Sequence, residues 1–257
     1  MTAYVEDAKD RLIVRNGNAD KRGAITPEFY QSIIDAITGA KERRIRSVII
    51  TSQGGFFCAG GDLNALRERR GLPEVERQGK IELLHDVIRA IRNCPVPVIA
   101  AVKGGAAGAG ASIALACDFI VMEAGAKFTA AYVKAGLVPD GGLTASLARM
   151  ISRPLAMEMC VLARPVTAER MQALGAVNAV VPAEQVMDEA HVWADAVAAG
   201  PRDAQARIRM MVAAGYDQTE AAQLDLERDA MAHAAGGDEA AEGIAAFLEK
   251  RKPEYGT

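Results

Sequence analysis

Histidine is scarce in this chain. His85, His191 and His233 are the whole supply in 257 residues, and none stands beside a serine or cysteine that it could activate. With no G-x-S-x-G elbow either, a serine hydrolase is hard to build. His85, in "IELLHDVIRAI", reads as an ordinary helix residue. Cysteine is equally spare: Cys58, Cys94, Cys117 and Cys160 form no C-x-x-C pair and have no histidine cluster near them. That excludes a zinc-type metal site and a disulfide frame, and the thiols are expected to be reduced. No apolar run approaches the roughly 20 residues that cross a bilayer. The N-terminus "MTAYVEDAKDR" carries acids where a secretory signal has a basic and then an apolar segment. The expectation is a cytoplasmic protein with no membrane partner. An excess of positive charge is missing too. A net charge of -3 and a pI near 5.7 argue against a nucleic-acid partner, which would need clustered cations. The local runs "KERRIR", "RERR" and "KRK" read as solvated helix faces and ends, any of which could meet a small anion.

What the chain does have is a hydrophobic fraction of 50%, enough to fill the core of one large domain, with or without an appendage. Short β-rich apolar runs occur at Arg11–Val14, Arg46–Ser52, Val96–Val102 and Asp118–Met122, the last three nearly continuous, as in strands buried on both faces. Between them, "TPEFYQSIIDAITGAKERRI" opens with Thr26 as cap and Pro27 in the first turn. It then carries Phe29, Ile33, Ile34 and Ile37 at helical spacing. A second helix is expected at roughly Glu74–Arg92. This alternation predicts an α/β fold with a mainly parallel sheet and crossover helices. Past Pro154 one further strand candidate appears at Ala176–Pro182, and from Pro201 onward the chain reads as helices broken at "AAGGDEA". The expected division is a core over residues 1–200 and a helical segment over residues 201–257.

Three glycine-rich turns carry the functional signal. In "FFCAGGDL", the small residues Ala59, Gly60 and Gly61 let a ligand approach the backbone, and Asp62 opens a helix whose first N–H groups point outward. A tight β-to-α connection with Asp62 as N-cap explains the same residues equally well. In "VKGGAAGAGASIALACD" a strand again gives way to glycines and a helix. Gly105, Gly108 and Gly110 spell G-x-x-G-x-G, the reverse of the dinucleotide fingerprint, and without a GK[ST] there is no P-loop. In "GLVPDGG", Asp140 sits between a proline and two glycines; the bland explanation is a cap for the helix "LTASLARMI". Taken together, two N–H-donating turns suit an oxyanion hole, and one isolated acid suits proton transfer beside a carbonyl.

These turns, in this order and at these separations, resemble the enoyl-CoA hydratase/isomerase family, also called the crotonase family. The similarity extends over nearly the whole chain, through "LAMEM" to the ending "AFLEKRKPEY". It implies a spiral of β-β-α turns followed by C-terminal helices, a homotrimer or dimer of trimers, and acyl-CoA thioester substrates. No separate cofactor is implied, coenzyme A being part of the substrate. The resemblance makes the N–H groups of Gly61 and Ala109 the oxyanion donors and Asp140 the catalytic acid-base group. Ala59, Asp62, Leu63, Ser112 and Tyr132 become candidate substrate contacts, with Phe128 and the segment Leu63–Gly79 around the acyl group. Phe247 and Lys250 match family positions that approach the adenine of a neighbouring subunit's ligand; a core Phe and a solvent-exposed Lys are the alternative. Lys21 and Arg22 stand where CoA phosphates could be met, but Gly23 replaces the asparagine usual after them.

The chain departs from the family's hydratases at two places. Where those carry a pair of glutamates, it has Ser112 and Tyr132. Neither replaces a carboxylate readily near neutral pH, which favours double-bond isomerisation through the single base Asp140. The segments "AAGAGAS", "GLVPDGG" and "LDLERD" resemble members that isomerise a ring epoxide in phenylacetate breakdown. A hydratase of altered design and a non-catalytic acyl-CoA-binding homologue are the alternatives.

Overall fold

A computed structural model describes residues 3–256. Its larger sheet contains β1 (Ala3–Asp7), β2 (Arg11–Asn16), β3 (Ser47–Ser52), β4 (Val98–Val102), β6 (Phe119–Glu123) and β9 (Ala179–Val181), side by side in that order. Only the β1–β2 pairing is antiparallel; the rest of the ladder is parallel. Every residue of β3 and β4 is buried, which is why both read as unbroken apolar runs rather than alternating ones. A smaller sheet holds β5 (Gly105–Ala107), β7 (Lys127–Thr129) and β8 (Val166–Thr167).

The two sheets are linked turn by turn. After β4 the chain enters β5, and after β6 it enters β7. After β3 it reaches Cys58, which bridges in parallel to Ala106 of β5. Each circuit thus lays one long strand on the first sheet and a short extended piece on the second, and successive circuits stack in parallel. That is the expected spiral of β-β-α turns. The short strands escape a periodicity reading because two or three residues carry no alternation.

Helices close the two faces. α1 (Pro27–Gly39) starts where expected: the Thr26 Oγ1 accepts from the Phe29 N–H at 3.2 Å, and Pro27 occupies the first turn. Its buried stripe of Phe29, Ile33, Ala36 and Ile37 joins the main core. α2 (Leu63–Arg69) leads to α3 (Glu74–Arg92), which adds Leu84, Val87, Ile88 and Ile91 to that core. After the short α4 (Ala109–Ala114) come α5 (Leu143–Met150), α6 (Arg153–Leu162) and α7 (Ala168–Ala173). α8 (Val186–Ala198) covers the opposite face of the large sheet, packing Val186, Ala190 and Ala194 on Ile13, Ile49, Ile99 and Val121.

The C-terminal helices are α9 (Arg202–Ala214), α10 (Glu220–Ala235) and α11 (Asp238–Glu249), with α10 against α9 and α11 against α10. Arginines tie this arm to the core. Arg202 donates to the carbonyls of Ala40 and Ile45, and Arg209 pairs with Asp118 at 2.8 Å and donates to the Cys94 carbonyl. The run "KERRIR" therefore departs from the expectation of a solvated face: Arg46 is buried and donates to the Gly200 carbonyl. No helix among the described residues is long and apolar enough to cross a membrane.

Candidate active site

The first two glycine turns meet backbone to backbone. The Ala107 N–H donates to the Cys58 carbonyl at 2.9 Å, and the Gly108 N–H donates to the Thr129 carbonyl at 3.0 Å. Side chains have no room here. A Cβ on Gly60, whose φ is +91°, would lie 2.9 Å from the Ala107 oxygen and 3.2 Å from the Ala109 nitrogen. A Cβ on Gly110 would lie 2.4 Å from the Cys58 oxygen. The glycines are thus demanded by close approach of two chain segments. The Gly61 and Ala109 N–H groups are brought to adjacent turns, and neither is taken up by another group among the described residues. Two free donors so placed can hold a carbonyl oxygen on which charge develops.

Beside them, Ala59 is half-buried and Leu63 is exposed at the start of α2. Asp62 is the N-cap of α2: its carboxylate accepts from the Asn64 N–H at 2.8 Å and from Lys21 Nζ at 3.3 Å. These bonds, the N–H first, hold its carboxyl below the usual range. The plain structural account of Asp62 is therefore the one observed. Arg22 lies with its guanidinium 4.1 Å from the centre of the Phe56 ring, and Gly23, at φ +67°, follows it.

Asp140 has a different setting. The chain leaves β7 through a short helical turn, Ala131–Ala135, and reaches Gly141 and Gly142 at φ +59° and +70°. The N-cap of α5 is Gly142, with no side-chain cap bond. Asp140 is not the helix cap. Its Oδ1 instead accepts from the Tyr132 hydroxyl at 2.7 Å, while its backbone carbonyl accepts from Ser112 Oγ at 3.0 Å. The two hydroxyls are themselves 3.3 Å apart. Ser112 is fully buried on α4, the helix that begins with Ala109. The second glycine turn and the acid are therefore joined through a single short helix.

The glycine after the acid is required by its neighbours. A Cβ on Gly141 would meet Ser112 Cβ at 2.8 Å and Leu84 Cδ2 at 2.9 Å, in a left-handed backbone that side chains disfavour. Burial, reinforced by the charge of Asp140, pushes the Tyr132 phenol well above its ordinary value. Tyr132 thus stays protonated and serves as a donor to the carboxylate.

Two contributors had no signal in the sequence. Tyr30, half-buried on α1, is pushed upward first by burial and then by the charges of Asp140 and Cys58, with Arg69 opposing. Leu84 of α3 presses on the Asp140 turn. Both come from elements remote in sequence, and their helical spacing marks them only as core-side residues. Other expected contacts are not brought in. Phe128 is fully buried in the main core, so it lines no open acyl site. Phe247 is 83% exposed on α11, which excludes a core role, and Lys250 ends that helix in a left-handed conformation.

The geometry has counterparts in known proteins. Residues 15–257 match the family model described as enoyl-CoA hydratase/isomerase. A probable enoyl-CoA hydratase of Rhodobacter capsulatus is 36% identical over 251 residues, covering 96% of this chain and 91% of the relative. The 1,2-epoxyphenylacetyl-CoA isomerase of Escherichia coli is 35% identical over 216 residues, 84% of this chain and 82% of its own. The crystal structure of an enoyl-CoA hydratase from Polaromonas superposes with a TM-score of 0.95 at 42% identity, covering 99% of both chains. Spiral sheets, paired glycine turns and a match along almost the full length agree, and the chain belongs to the enoyl-CoA hydratase/isomerase family.

Proposed function

We propose that this protein shifts the double bond of an acyl-CoA thioester, with Asp140 as the proton-carrying base and the Gly61 and Ala109 N–H groups as the oxyanion hole. The observation that carries this is the company Asp140 keeps. The two positions where family hydratases hold glutamates are occupied by Ser112 and Tyr132, and both hydroxyls are turned to the Asp140 residue itself. One carboxylate is left to do the proton chemistry. In a 3-enoyl thioester it takes the C2 proton, the electron pair moves into a dienolate whose oxygen meets the two N–H groups, and the same proton returns at C4. The C3–C4 double bond becomes C2–C3, and no water or redox partner is consumed. Tyr132 holds Oδ1; Oδ2 accepts no bond from the chain among the described residues and is the oxygen for proton transfer.

The reaction needs no separate cofactor. Ala59, Asp62 and Leu63 flank the thioester. Phe247 and Lys250 are proposed to meet the CoA of a neighbouring copy in a homotrimer or dimer of trimers. Exposed Ile208, Val212, Met231, Ile244 and Leu248 on the C-terminal helices favour such self-association. Four unpaired cysteines, three of them buried, fit a cytoplasmic setting.

A second reading, hydration with Asp140 orienting water, draws on the relatives that carry hydratase names. The deciding experiment supplies a 3-enoyl-CoA in heavy water to the wild type and to Asp140→Asn. Isomerisation predicts conjugated 2-enoyl-CoA from the wild type and a loss of it in the variant. Hydroxyacyl-CoA as the main product establishes the hydratase instead, and ester binding without any turnover marks a non-catalytic binding protein.

A further inference from the structure

Four arginines line a cavity of about 640 Å³ that the proposed chemistry does not use. It lies where the C-terminal ends of α3 and α4 meet α5 and α9, and none of Gly61, Ala109, Tyr132 or Asp140 borders it. Leu115 and Met150 line it from the core, and Ala206, Met210 and Ala213 line it from α9. Most of its wall is apolar. Tyr216, another lining residue, is exposed, so the space reaches solvent. A cavity of this size and character suits a small organic molecule rather than a bare ion.

The charges around it are not balanced. Arg209 pairs with Asp118 at 2.8 Å, Arg149 pairs with Asp217 at 2.6 Å, and Arg89 pairs with Glu82 and Asp86. Arg92, half-buried at the end of α3, has no carboxylate within ion-pair distance among the described residues. Its Nη2 donates to the buried Ser146 Oγ at 3.0 Å, which orients the guanidinium but leaves its charge unanswered. A Cβ on Gly142 would lie 3.4 Å from that same nitrogen, so α5 approaches the group at two positions. Burial first, and then the charge of Arg149, holds Arg92 below its ordinary value, with Asp217 opposing. A partly desolvated cation is costly until an anion supplies the missing partner.

We infer that this cavity binds a small organic acid, a monocarboxylate whose charged end pairs with Arg92 and whose apolar body fills the space between α5 and α9. One unanswered positive charge calls for a single negative one. The planar guanidinium fork matches a carboxylate through two parallel N–H bonds. Inorganic phosphate would leave the apolar wall uncovered. The site is separate from the proposed acyl-CoA site, so either assignment can fail without the other.

The test uses octanoate and octanamide, equal in length and different in charge. Both are titrated calorimetrically into the wild type, into Arg92→Gln and into the wild type held in excess hexanoyl-CoA. The expected result is a preference of the wild type for octanoate on the order of tenfold. That preference should shrink to less than about twofold in Arg92→Gln and persist in the presence of hexanoyl-CoA. Equal binding of the two ligands by the wild type, or binding of neither, overturns the inference without any reliance on the variant. A preference that survives in Arg92→Gln places the acid elsewhere and overturns it too. Displacement of octanoate by hexanoyl-CoA would give the cavity to the acyl group of the ester, and no separate site would remain. If neither ligand binds and Arg92→Gln sediments differently from the wild type, the partner of Arg92 is a carboxylate of a second copy of the chain, and the inference falls.

Discussion

Two glycine-rich regions of this molecule differ in what their glycines serve. At Gly60 and Gly110 an added Cβ would run into backbone and the base of a side chain, at the Ala107 and Cys58 oxygens. The groups proposed to act there are N–H donors, so nearly all the chemistry proposed for this region resides in the path of the chain. At Gly141 an added Cβ would run into the side chains of Ser112 and Leu84. There the glycine lets a side chain, Asp140, reach its hydroxyl partner. The first region can be damaged only by moving the backbone. The second can be altered chemically while its fold stays as it is.

Changing Asp140 gives the largest expected effect under this contrast. In Asp140→Asn the amide oxygen can still accept from Tyr132, so the melting temperature should stay close to that of the wild type. Turnover should fall by roughly 10²–10⁴, the range general acid–base groups supply. A variant that melted much earlier would show that the acid is structural, and the contrast would lose one side. Gly110→Ala is the counterpart. Its methyl group must displace the Cys58 segment, so a stability loss of about 1–3 kcal/mol should accompany the activity loss. Displacing one oxyanion donor should reduce kcat by about 10²–10³. Thermal melting together with steady-state rates separates the two patterns. Tyr132→Phe should be milder than either: the hydrogen bond to Asp140 is lost with little change in shape. A fall in kcat of roughly tenfold is expected, the scale of one charge-assisted bond. KM for the ester should move less than kcat if Tyr132 positions the base rather than binds the substrate.

How far the sequence reveals this arrangement depends on whether the signal is local. α1 announces itself through Thr26, Pro27 and an apolar stripe, and α3 runs over the residues expected of it. The buried strands β3 and β4 also stand out as apolar runs. The second sheet is invisible because β5, β7 and β8 are only two or three residues long and are defined by pairing rather than by composition. The site divides in the same way. Asp140 is conspicuous between proline and glycine, but its bond to Tyr132 is a tertiary fact. Asp62 and Asp140 look alike as caps in sequence, yet only Asp62 is one. Arg46 and Arg69 both sit in runs that read as solvent-facing, and the fold covers each of them to a different degree.

The smallest expected effect concerns alkaline stability, and it sharpens the comparison because the affected groups line both regions. Burial pushes the Cys58 thiol, in the first region, up to about 12, and raises the phenols of Tyr132 and Tyr30, in the second, above their ordinary value of 10.0. In the unfolded chain these groups ionise near their free values, about 8.5 for the thiol and about 10 for the phenols. Below those values both states hold the protons, and the contribution to stability is complete. As pH rises past them the unfolded chain releases protons that the folded chain keeps, so stability declines until the folded groups ionise as well. Denaturant melts at pH 8, 9, 10 and 11 should therefore show a steady fall beginning near pH 9. Tyr30→Phe should flatten only the part above about pH 10, since it removes a phenol and leaves the thiol. An unchanged slope in that variant would mean that the Tyr30 phenol reaches solvent rather than being held out of it by burial.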